Sequence, residues 1–249
     1  MIDIKNKSAI LKMREAGKRL CEVVSSLDEV VEPGISTFYI DQLIEQSMVK
    51  VGLKPECKGY AGYRFATCIS PNDVVVHGVP SKKVILKAGD FVKIDVVGSF
   101  KGYCADMARP FFVGKPSQEV LDLADAAIES FGVAVKKAVP GGRLSDISSA
   151  VQVEVEKRGF SVVREFAGHG IGRKLHESPE IPNFGRAGEG PILREGMTIA
   201  IEPMVTQKSC SVIIDNDGWT ARTSDGCLAS HFENTVLITS NGPELLTRL

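Results

Sequence analysis

Residues 86–95 read LKAGDFVKID, and residues 193–202 read LREGMTIAIE, the same pattern 107 positions further along the chain. Each stretch has a leucine, a glycine three positions later and a strand-forming run that ends in a carboxylate, Asp95 or Glu202. Because Asp is among the residues most depleted in β-strands, acids at these equivalent places need a reason other than strand formation. The sequence therefore predicts a duplicated unit with equivalent carboxylates.

The duplication also covers the predicted helices. Apolar residues at helical spacing, bounded by capping and breaking residues, predict four helices. The first is expected over about Ser8 to Val31, and the second from Ser36 or Thr37 to Gly52. The third is expected from about Ser117 to the Pro140-Gly141 break, and the fourth from that break to Gly159. Half-repeats of about 8–113 and 115–249 would most easily pack about a pseudo-twofold axis, which brings equivalent strands together.

Two further acids complete the pattern. Glu233 is the best match for Asp106 but lies 127 positions later, which implies about 20 extra residues in the second half. If the first half folds back as a hairpin about residues 100–101, Asp95 and Asp106 lie directly opposite each other on one face. A bulge at residues 101–102 would shift this register by one residue.

The predicted cluster needs compensating charge. Four neighbouring carboxylates raise one another's pKa values, and two divalent cations would cancel their charge. His169 adds an imidazole within the run AGHGIG at 167–172, where glycines allow close backbone approach. Such an oxygen-rich site suits Mn, Fe, Co or Mg better than a thiolate zinc cage. Each acid taken singly is also typical of a solvated strand face, so the inference depends on their equivalent placement.

The composition excludes several classes of protein. The 249 residues carry 30 basic and 31 acidic side chains, a net charge of −1, which argues against a general polyanion binder. We find no nucleic-acid-binding motif. The apolar runs are only a few residues long, so no membrane helix is expected, and the charged N-terminus leaves no apolar core for a secretion signal. We therefore expect a cytoplasmic protein.

The six cysteines show no metal-binding spacing. Since none of them forms a Cys-x-x-Cys pair, a structural zinc site is not expected. In a chain without an export signal they are expected to be reduced thiols that pack as small hydrophobic residues.

These residues resemble the type I methionine aminopeptidases over essentially the whole chain. The resemblance rests on the four acids with His169, on His77 in VHGVP at 76–80, and on GHGIGRKLHE at 168–177. It implies the pita-bread fold, an α/β (α+β) architecture whose two pseudo-twofold-related halves form an antiparallel-rich central sheet covered by helices. It also implies a single catalytic domain spanning residues 1–249.

The resemblance implies a set of metal ligands. Asp95 would chelate one of two divalent ions, which could be Co, Mn, Fe, Zn or Mg. Asp106 and Glu233 would bridge both ions. His169 and Glu202 would complete the shell of the second ion. The sequence does not choose among these metals.

The same resemblance implies catalytic roles for three residues. Glu202 would move a proton during attack by a metal-bridged hydroxide. His176 would stabilise the oxyanion of the tetrahedral intermediate, and His77 would hydrogen-bond the scissile amide nitrogen. The implied reaction removes the initiator methionine from N-terminal methionyl peptides and nascent chains, with a preference for a small second residue.

A methionine pocket is implied beside the metals. Its expected residues are Cys57, Tyr60, Tyr63, Cys68 and Trp219, with His77 and His176 also touching the substrate. Thiols and aromatic rings suit a thioether side chain. Tyr60 and Tyr63 are also typical of plain loop aromatics, whereas the position of Trp219 in the inserted stretch favours a lid over a core residue.

The sequence departs from the family pattern at two positions. Leu175 stands where relatives often carry Phe, which would reshape the pocket. Asn234 stands where His is common, which would change the support behind the ligand Glu233. Neither departure removes a ligand. His231 lies outside the implied ligand set, and we expect it to be structural.

Three other assignments compete with this one. Prolidase and aminopeptidase P keep similar ligands, but they normally carry an additional N-terminal domain, whereas the first repeat here begins by about residue 8. A non-catalytic pita-bread binding module would have lost ligands. Type II methionine aminopeptidases insert a helical segment, and only 26 positions separate His176 from Glu202. The family expectation is a monomer, and any ribosome association would use the folded surface, because no polybasic N-terminal extension is present.

Overall fold

The computed structural model of this chain describes residues 2–208 and 211–249. In this part of the chain the α-helices are α1 (Lys7–Val24), α2 (Thr37–Lys50), α3 (Gln118–Val135) and α4 (Leu144–Lys157). The strands are β1 (Lys54–Pro55), β2 (Thr67–Pro71), β3 (Val74–Val76), β4 (Phe91–Phe100), β5 (Tyr103–Phe112), β6 (Ser161–Val162), β7 (Ala167–Gly170), β8 (Glu177–Pro182), β9 (Thr198–Ile201), β10 (Met204–Thr206), β11 (Val212–Ile214), β12 (Ala221–Thr223), β13 (Ala229–His231), β14 (Asn234–Thr239) and β15 (Gly242–Leu245). Short 3-10 helices lie at Leu27–Glu29 and Tyr60–Gly62.

The first helix is shorter than its apolar pattern predicts. α1 ends at Val24 instead of near Val31. The next two residues, Ser25 and Ser26, turn their hydroxyls onto carbonyls three residues back, and such bonds compete with the helical ladder. A 3-10 turn follows, so Leu27 and Val31 remain buried although the α-helix has ended.

The other predicted helix starts agree with the structure. Ser36 Oγ accepts a hydrogen bond from the backbone N–H of Tyr39 at the start of α2. Ser117 Oγ accepts from the backbone N–H of Val120 at the start of α3. Both are N-cap bonds of the kind that satisfies an otherwise unpaired donor in the first turn.

The predicted duplication is confirmed. α2 and α4 each contain 14 residues and are related by the offset of 107. The isolated strand bridges preceding them, Ser36 with Ile85 and Arg143 with Ile192, repeat at the same offset. α1 and α3 each contain 18 residues but are offset by 111, since the connection to the next helix is longer in the first half.

The strands form antiparallel sheets. β4 pairs with β1, β2 and β5 in the first half, and the order β15-β14-β9-β7-β8 makes a five-stranded sheet in the second half. Two smaller sheets, β13-β10-β6 and β11-β12-β3, complete the arrangement. Every pairing between named strands among the described residues is antiparallel, in agreement with the predicted fold.

The register of the β4–β5 hairpin differs from the predicted one. Asp95 pairs with Ala108 and Val97 pairs with Asp106, so the two acids are diagonal neighbours instead of direct partners. The turn residue Lys101 and the glycine after it have φ values of 49° and 75°, as a two-residue type I′ hairpin turn requires. Because side chains alternate with a period of two, the acids still share one face, as predicted.

The halves meet along β5 and β14. The backbone N–H of Asp106 donates to Thr235 Oγ1 at 2.8 Å, and the backbone N–H of Glu233 donates to the carbonyl of Ala108 at 3.1 Å. These bonds hold the start of β14 and the loop before it beside β5. The functional site is therefore built where the two halves join.

Each half packs its helices on its own sheet. One apolar cluster joins α1 and α2 to β4 and β5, and another joins α3 and α4 to β9 and β14. The free cysteines among the described residues are Cys21, Cys57, Cys68, Cys104 and Cys227, of which the middle three are buried. Cys210, also predicted to be a reduced thiol, lies outside the described residues.

No helix in residues 2–208 or 211–249 combines the length and the apolar character that crossing a bilayer requires.

Candidate metal centre

Five predicted ligands converge at the junction of the halves. Asp95 and Asp106 lie on β4 and β5, and His169 lies on β7. Glu202 directly follows β9, and Glu233 lies between β13 and β14. Separate strands therefore bring together side chains that are up to 138 positions apart in the sequence.

The two glutamates lie just outside strands, although each stands among strand-forming residues in the sequence. β9 ends at Ile201, and Pro203 then follows Glu202, so the backbone there cannot continue the hydrogen-bonded ladder. Asn183 Nδ2 instead donates to the carbonyl of Glu202 at 2.9 Å. Ending the strand frees the carboxylate to turn toward the cluster.

His169 is in contact with acids of both halves. Its Nε2 lies 3.7 Å from Asp106 Oδ2 and 3.6 Å from Glu202 Oε1. Its Nδ1 lies 2.9 Å from the carbonyl oxygen of Gly170, and because a carbonyl oxygen only accepts, Nδ1 carries the hydrogen. The lone pair of Nε2 therefore faces the acids, as metal ligation requires.

The glycines beside His169 allow the predicted close packing. A Cβ atom on Gly168 would lie 2.4 Å from the carbonyl oxygen of Ala200, and one on Gly170 would lie 2.2 Å from that of Ser178. Neither position has room for a side chain. Glycine at both positions lets β7 lie close enough to its neighbours to bring the imidazole into the cluster.

Burial and mutual repulsion dominate the electrostatics. Burial, and then the neighbouring carboxylates, raise the pKa values of Asp106 and Glu233 well above the usual range. Burial raises the pKa of Glu202 to about 8 and lowers the pKa of His169 to about 4. The acids therefore hold protons that a bound cation would replace, while the imidazole is neutral and able to ligate.

The donor set fits divalent cations. Oδ1 of Asp95, Oδ1 of Asp106 and Oε1 of Glu233 are buried and have no hydrogen-bond partner among the described residues. Unpaired buried polar atoms of this kind are costly. Donor atoms of Asp106, His169 and Glu233 also lie within 4.8 Å of one another. Hard cations that bind carboxylate oxygens would satisfy these atoms.

A cavity of about 190 Å³ opens onto the cluster. Every ligand and pocket residue predicted from the sequence lines it: Cys57, Tyr60, Tyr63, Cys68, His77, Asp95, Asp106, His169, His176, Glu202, Trp219 and Glu233. One cavity thus contains both the acidic cluster and a wall of thiols and aromatic rings.

The two pocket histidines occupy different positions in the cavity. His176 is exposed; its Nδ1 lies 2.7 Å from the Tyr60 hydroxyl, and its ring centre lies 4.4 Å from that of His169. His77 packs edge-on against Phe166 at 5.2 Å, and burial lowers its pKa to about 4. His77 also has a φ of 57°, a left-handed conformation that is uncommon outside glycine.

The aromatic wall includes the single tryptophan of the chain. Trp219 lies between β11 and β12, and its ring centre is 5.0 Å from that of Tyr63 in an edge-to-face contact. Its backbone N–H donates to Asp217 Oδ1 at 2.8 Å, which holds the turn. Trp219 is partly exposed and borders the cavity.

The cavity also contains residues that sequence reasoning missed. Val76, Val97, Phe166 and Met204 line it, and Leu175, noted above as a departure, lines it as well. The valines lie in apolar strand runs, which read as ordinary core. Only the three-dimensional arrangement distinguishes them from core residues.

Asn234, the second departure, braces the loop that carries Glu233. Its Oδ1 accepts a hydrogen bond from Arg109 Nη2 at 2.7 Å and another from Thr247 Oγ1 at 3.0 Å. Arg109 in turn donates to the backbone carbonyl of Glu233 and to that of Thr247. The amide therefore supports the backbone of the ligand through a buried guanidinium.

His231, expected to be structural, lies beside the cluster. Its side chain is 2% exposed, and its Nε2 lies 3.5 Å from Glu202 Oε2 and 4.0 Å from Glu233 Oε2. The sequence contained one signal that it is near the site, because it stands two residues before Glu233.

Fold and site together define a pita-bread protein with an acidic metal-binding centre at the junction of two repeats. Residues 11–240 match the profile of metallopeptidase family M24. The methionine aminopeptidase of Clostridium perfringens is 49% identical over 247 residues, 99% of each chain. The chain belongs to metallopeptidase family M24, and within it to the type I methionine aminopeptidases, as the resemblance predicted.

Solved structures agree with this membership. A crystal structure of methionine aminopeptidase from Thermotoga maritima has a TM-score of 0.98 and 44% identity, with 100% of both chains covered. A prolidase structure from Pyrococcus furiosus has a TM-score of 0.79 and 26% identity, covering 99% of this chain and 65% of that one. The prolidase shares the pita-bread architecture at a greater distance.

Proposed function

We propose that this chain removes the N-terminal methionine from peptides and nascent proteins in a reaction that depends on divalent metal ions. The observation that carries the proposal is the shared cavity, which is lined both by the acidic cluster and by thiols and aromatic rings. Full-length likeness to methionine aminopeptidases supports the same reaction. A thioether side chain in the pocket would place its own α-amine and peptide bond at the cluster.

The proposed ligands are those of the cluster. Asp95, Asp106, His169, Glu202 and Glu233 would hold two divalent ions, with Asp106 and Glu233 shared between them. Bound there, the ions would supply Lewis acidity at the scissile carbonyl and lower the pKa of a water molecule. Glu202 is also proposed to exchange a proton with the reacting groups.

His176 is proposed to donate to the developing oxyanion. Its Nδ1 lies 2.7 Å from the Tyr60 hydroxyl. If Tyr60 donates to Nδ1, the hydrogen of the neutral ring lies on Nε2, where it is available to the substrate oxygen. His77, which packs against Phe166 in the same cavity, is proposed to contact the scissile amide.

The dimensions of the pocket support selection of methionine. A cavity of about 190 Å³ is small, and Cys57, Cys68, Tyr63 and Trp219 supply the surfaces that favour a thioether. A small second residue would clear the walls formed by His77 and His176. The preference for such substrates is part of the proposal.

Replacing Trp219 with Ala should raise KM for methionyl peptides about tenfold and change kcat less. In the proposed pocket the ring would contact the side chain of the substrate equally in the ground and transition states, so its loss would weaken binding uniformly. Steady-state kinetics on Met-Gly peptides would measure this. Tyr39→Ala removes an exposed ring on α2 and serves as the control. Unchanged kinetics in Trp219→Ala would exclude this residue from the pocket.

The proposal is tested by stripping the metal and assaying three substrates. After chelation, Met-Gly, Met-Leu and Xaa-Pro peptides are each assayed with several divalent ions added back. We expect no hydrolysis without metal, rapid cleavage of Met-Gly with at least one ion, and slow cleavage of Met-Leu. Preferential cleavage of Xaa-Pro would instead support a prolidase-like enzyme, and no cleavage with any ion would support a binding module.

We also propose that the chain forms a single catalytic domain spanning residues 1–249, binds two divalent ions of the group Co, Mn, Fe, Zn or Mg, and acts as a cytoplasmic monomer. Any docking to the ribosome would use its folded surface. Metal analysis of the purified protein and its mass in solution would test the bound ions and the monomeric state directly.

A further inference from the structure

A second group of donor atoms lies beside the first. Asp106, His169 and Glu233 form one set of three, and Glu202, His231 and Glu233 form another, each with its ligand atoms within 4.8 Å of one another. The two sets share Glu233. Each set contains one imidazole, His169 in the first and His231 in the second.

The distances from His231 Nε2 to the neighbouring carboxylates are compatible with ligation of a shared metal ion. Two atoms that are each about 2.1 Å from one ion can be no more than about 4.2 Å apart. His231 Nε2 lies 3.5 Å from Glu202 Oε2 and 4.0 Å from Glu233 Oε2, both within that limit. Glu202 therefore presents Oε1 to His169 and Oε2 to His231.

No hydrogen bond among the described residues satisfies the buried Nε2 atom of His231. Its separation of 3.5 Å from Glu202 Oε2 is not accompanied by hydrogen-bond geometry. An unpaired imidazole nitrogen that is 2% exposed and directed at two carboxylates is costly unless another partner binds it.

The backbone around His231 fixes this direction. It is the last residue of β13 and pairs with Met204 of β10, two residues after Glu202. The next strand begins at Asn234, just after Glu233. His231 and the two glutamates are thus held by adjoining backbone segments, so their side chains meet without a change in the fold.

We propose that His231 is a sixth protein ligand of the metal centre, binding through Nε2 together with Glu202 and Glu233. The inference rests on the proposed metal-dependent function and adds a residue to its ligand set. Each of the two donor groups then supplies one imidazole, and the centre is richer in nitrogen than the set of four acids and His169 alone.

The test counts the histidine rings bound to metal. The chain has four histidines, at 77, 169, 176 and 231, so protein labelled with ¹⁵N-histidine gives four ring systems by NMR. Loading with ¹¹³Cd²⁺ splits the nitrogen signal of each coordinated ring. We expect two split rings in the wild-type protein, one of which is lost in His231→Gln and the other in His169→Gln.

His77→Gln is the matched control, since it removes a partly buried cavity histidine that belongs to neither donor group. It should leave both split rings in place. Calorimetric titration with Cd²⁺ should show at least about a tenfold loss of affinity in His231→Gln and little change in His77→Gln. Unshifted ring signals of the other histidines in metal-free His231→Gln would show that the variant is folded.

A single split ring in the wild-type protein, lost in His169→Gln, would overturn the proposal. An unchanged Cd²⁺ affinity in His231→Gln would do the same. Either result is compatible with metal-dependent cleavage of Met-Gly by the wild-type protein, whereas a wild-type protein that cleaves no peptide with any ion would refute the proposed function itself.

Discussion

Asp106→Asn should lower peptide hydrolysis by about 10³-fold or more while the metal-free protein stays folded. The asparagine has nearly the shape of a protonated aspartate, and burial with neighbouring charge already favours the protonated form of Asp106 in the metal-free state. The amide cannot bridge two cations as a carboxylate does. Losing Lewis-acid assistance worth several kcal/mol corresponds to this loss of rate.

Three measurements test the Asp106 prediction together. Thermal unfolding of the metal-free variant should match the wild-type protein, since the asparagine replaces a carboxyl group whose protonated, uncharged form is already favoured there. Bound metal and the rate of Met-Gly cleavage should both fall. Asp122→Asn, an exposed acid on α3, should change none of these. Full activity of Asp106→Asn with metal supplied would contradict a bridging role.

His176→Ala should lower kcat about 10²- to 10³-fold with a smaller effect on KM. The proposed role of His176 is to donate to an oxygen whose charge develops in the transition state, so its removal costs rate more than binding. Single-turnover kinetics on Met-Gly peptides would separate the chemical step from release of product.

Tyr60→Phe is the informative companion to His176→Ala. It removes the hydroxyl that lies 2.7 Å from Nδ1 but leaves the imidazole in the cavity. We expect a loss of rate smaller than that of His176→Ala, because the ring can still donate from Nε2 but is no longer held in one tautomer. A His176→Ala variant with wild-type kcat would remove this residue from the chemistry.

The sequence was most informative where a repeated pattern constrained it. The offset of 107 predicted the helix pair α2 and α4, and the structure repeats even the strand bridge that precedes each of them. Acids in strand-forming runs predicted a cluster because such residues are unfavourable there. The structure brings Asp95, Asp106, Glu202 and Glu233 to one cavity.

Details decided by local backbone geometry were harder to predict. The hairpin register depends on which two residues form the turn, and the positive φ values of Lys101 and Gly102 moved it by two positions from the symmetric pairing. Serine hydroxyls ended α1 early although the apolar spacing continued through Val31. In both places a local hydrogen bond or dihedral angle prevails over hydrophobic periodicity.

The remaining site residues carry no signal in the sequence. Val97 and Met204 line the cavity, but their neighbours in the chain are those of any buried strand. The pocket residues Cys57 and Tyr63 were assigned through the resemblance and not through a pattern in the sequence. His231 shows the same limit, since its direction toward two glutamates depends on how β13 pairs with β10.

The join between β5 and β14 gives the centre a mechanical role. Asp106 belongs to one half and Glu233 to the other, and hydrogen bonds donated by their backbone N–H groups already hold β5 to the segment that enters β14. Ions bound by both side chains would cross-link the two halves. Separation of the halves and loss of the ions would then be one cooperative event, so a chelator would destabilise the contact between the halves as well as abolish activity.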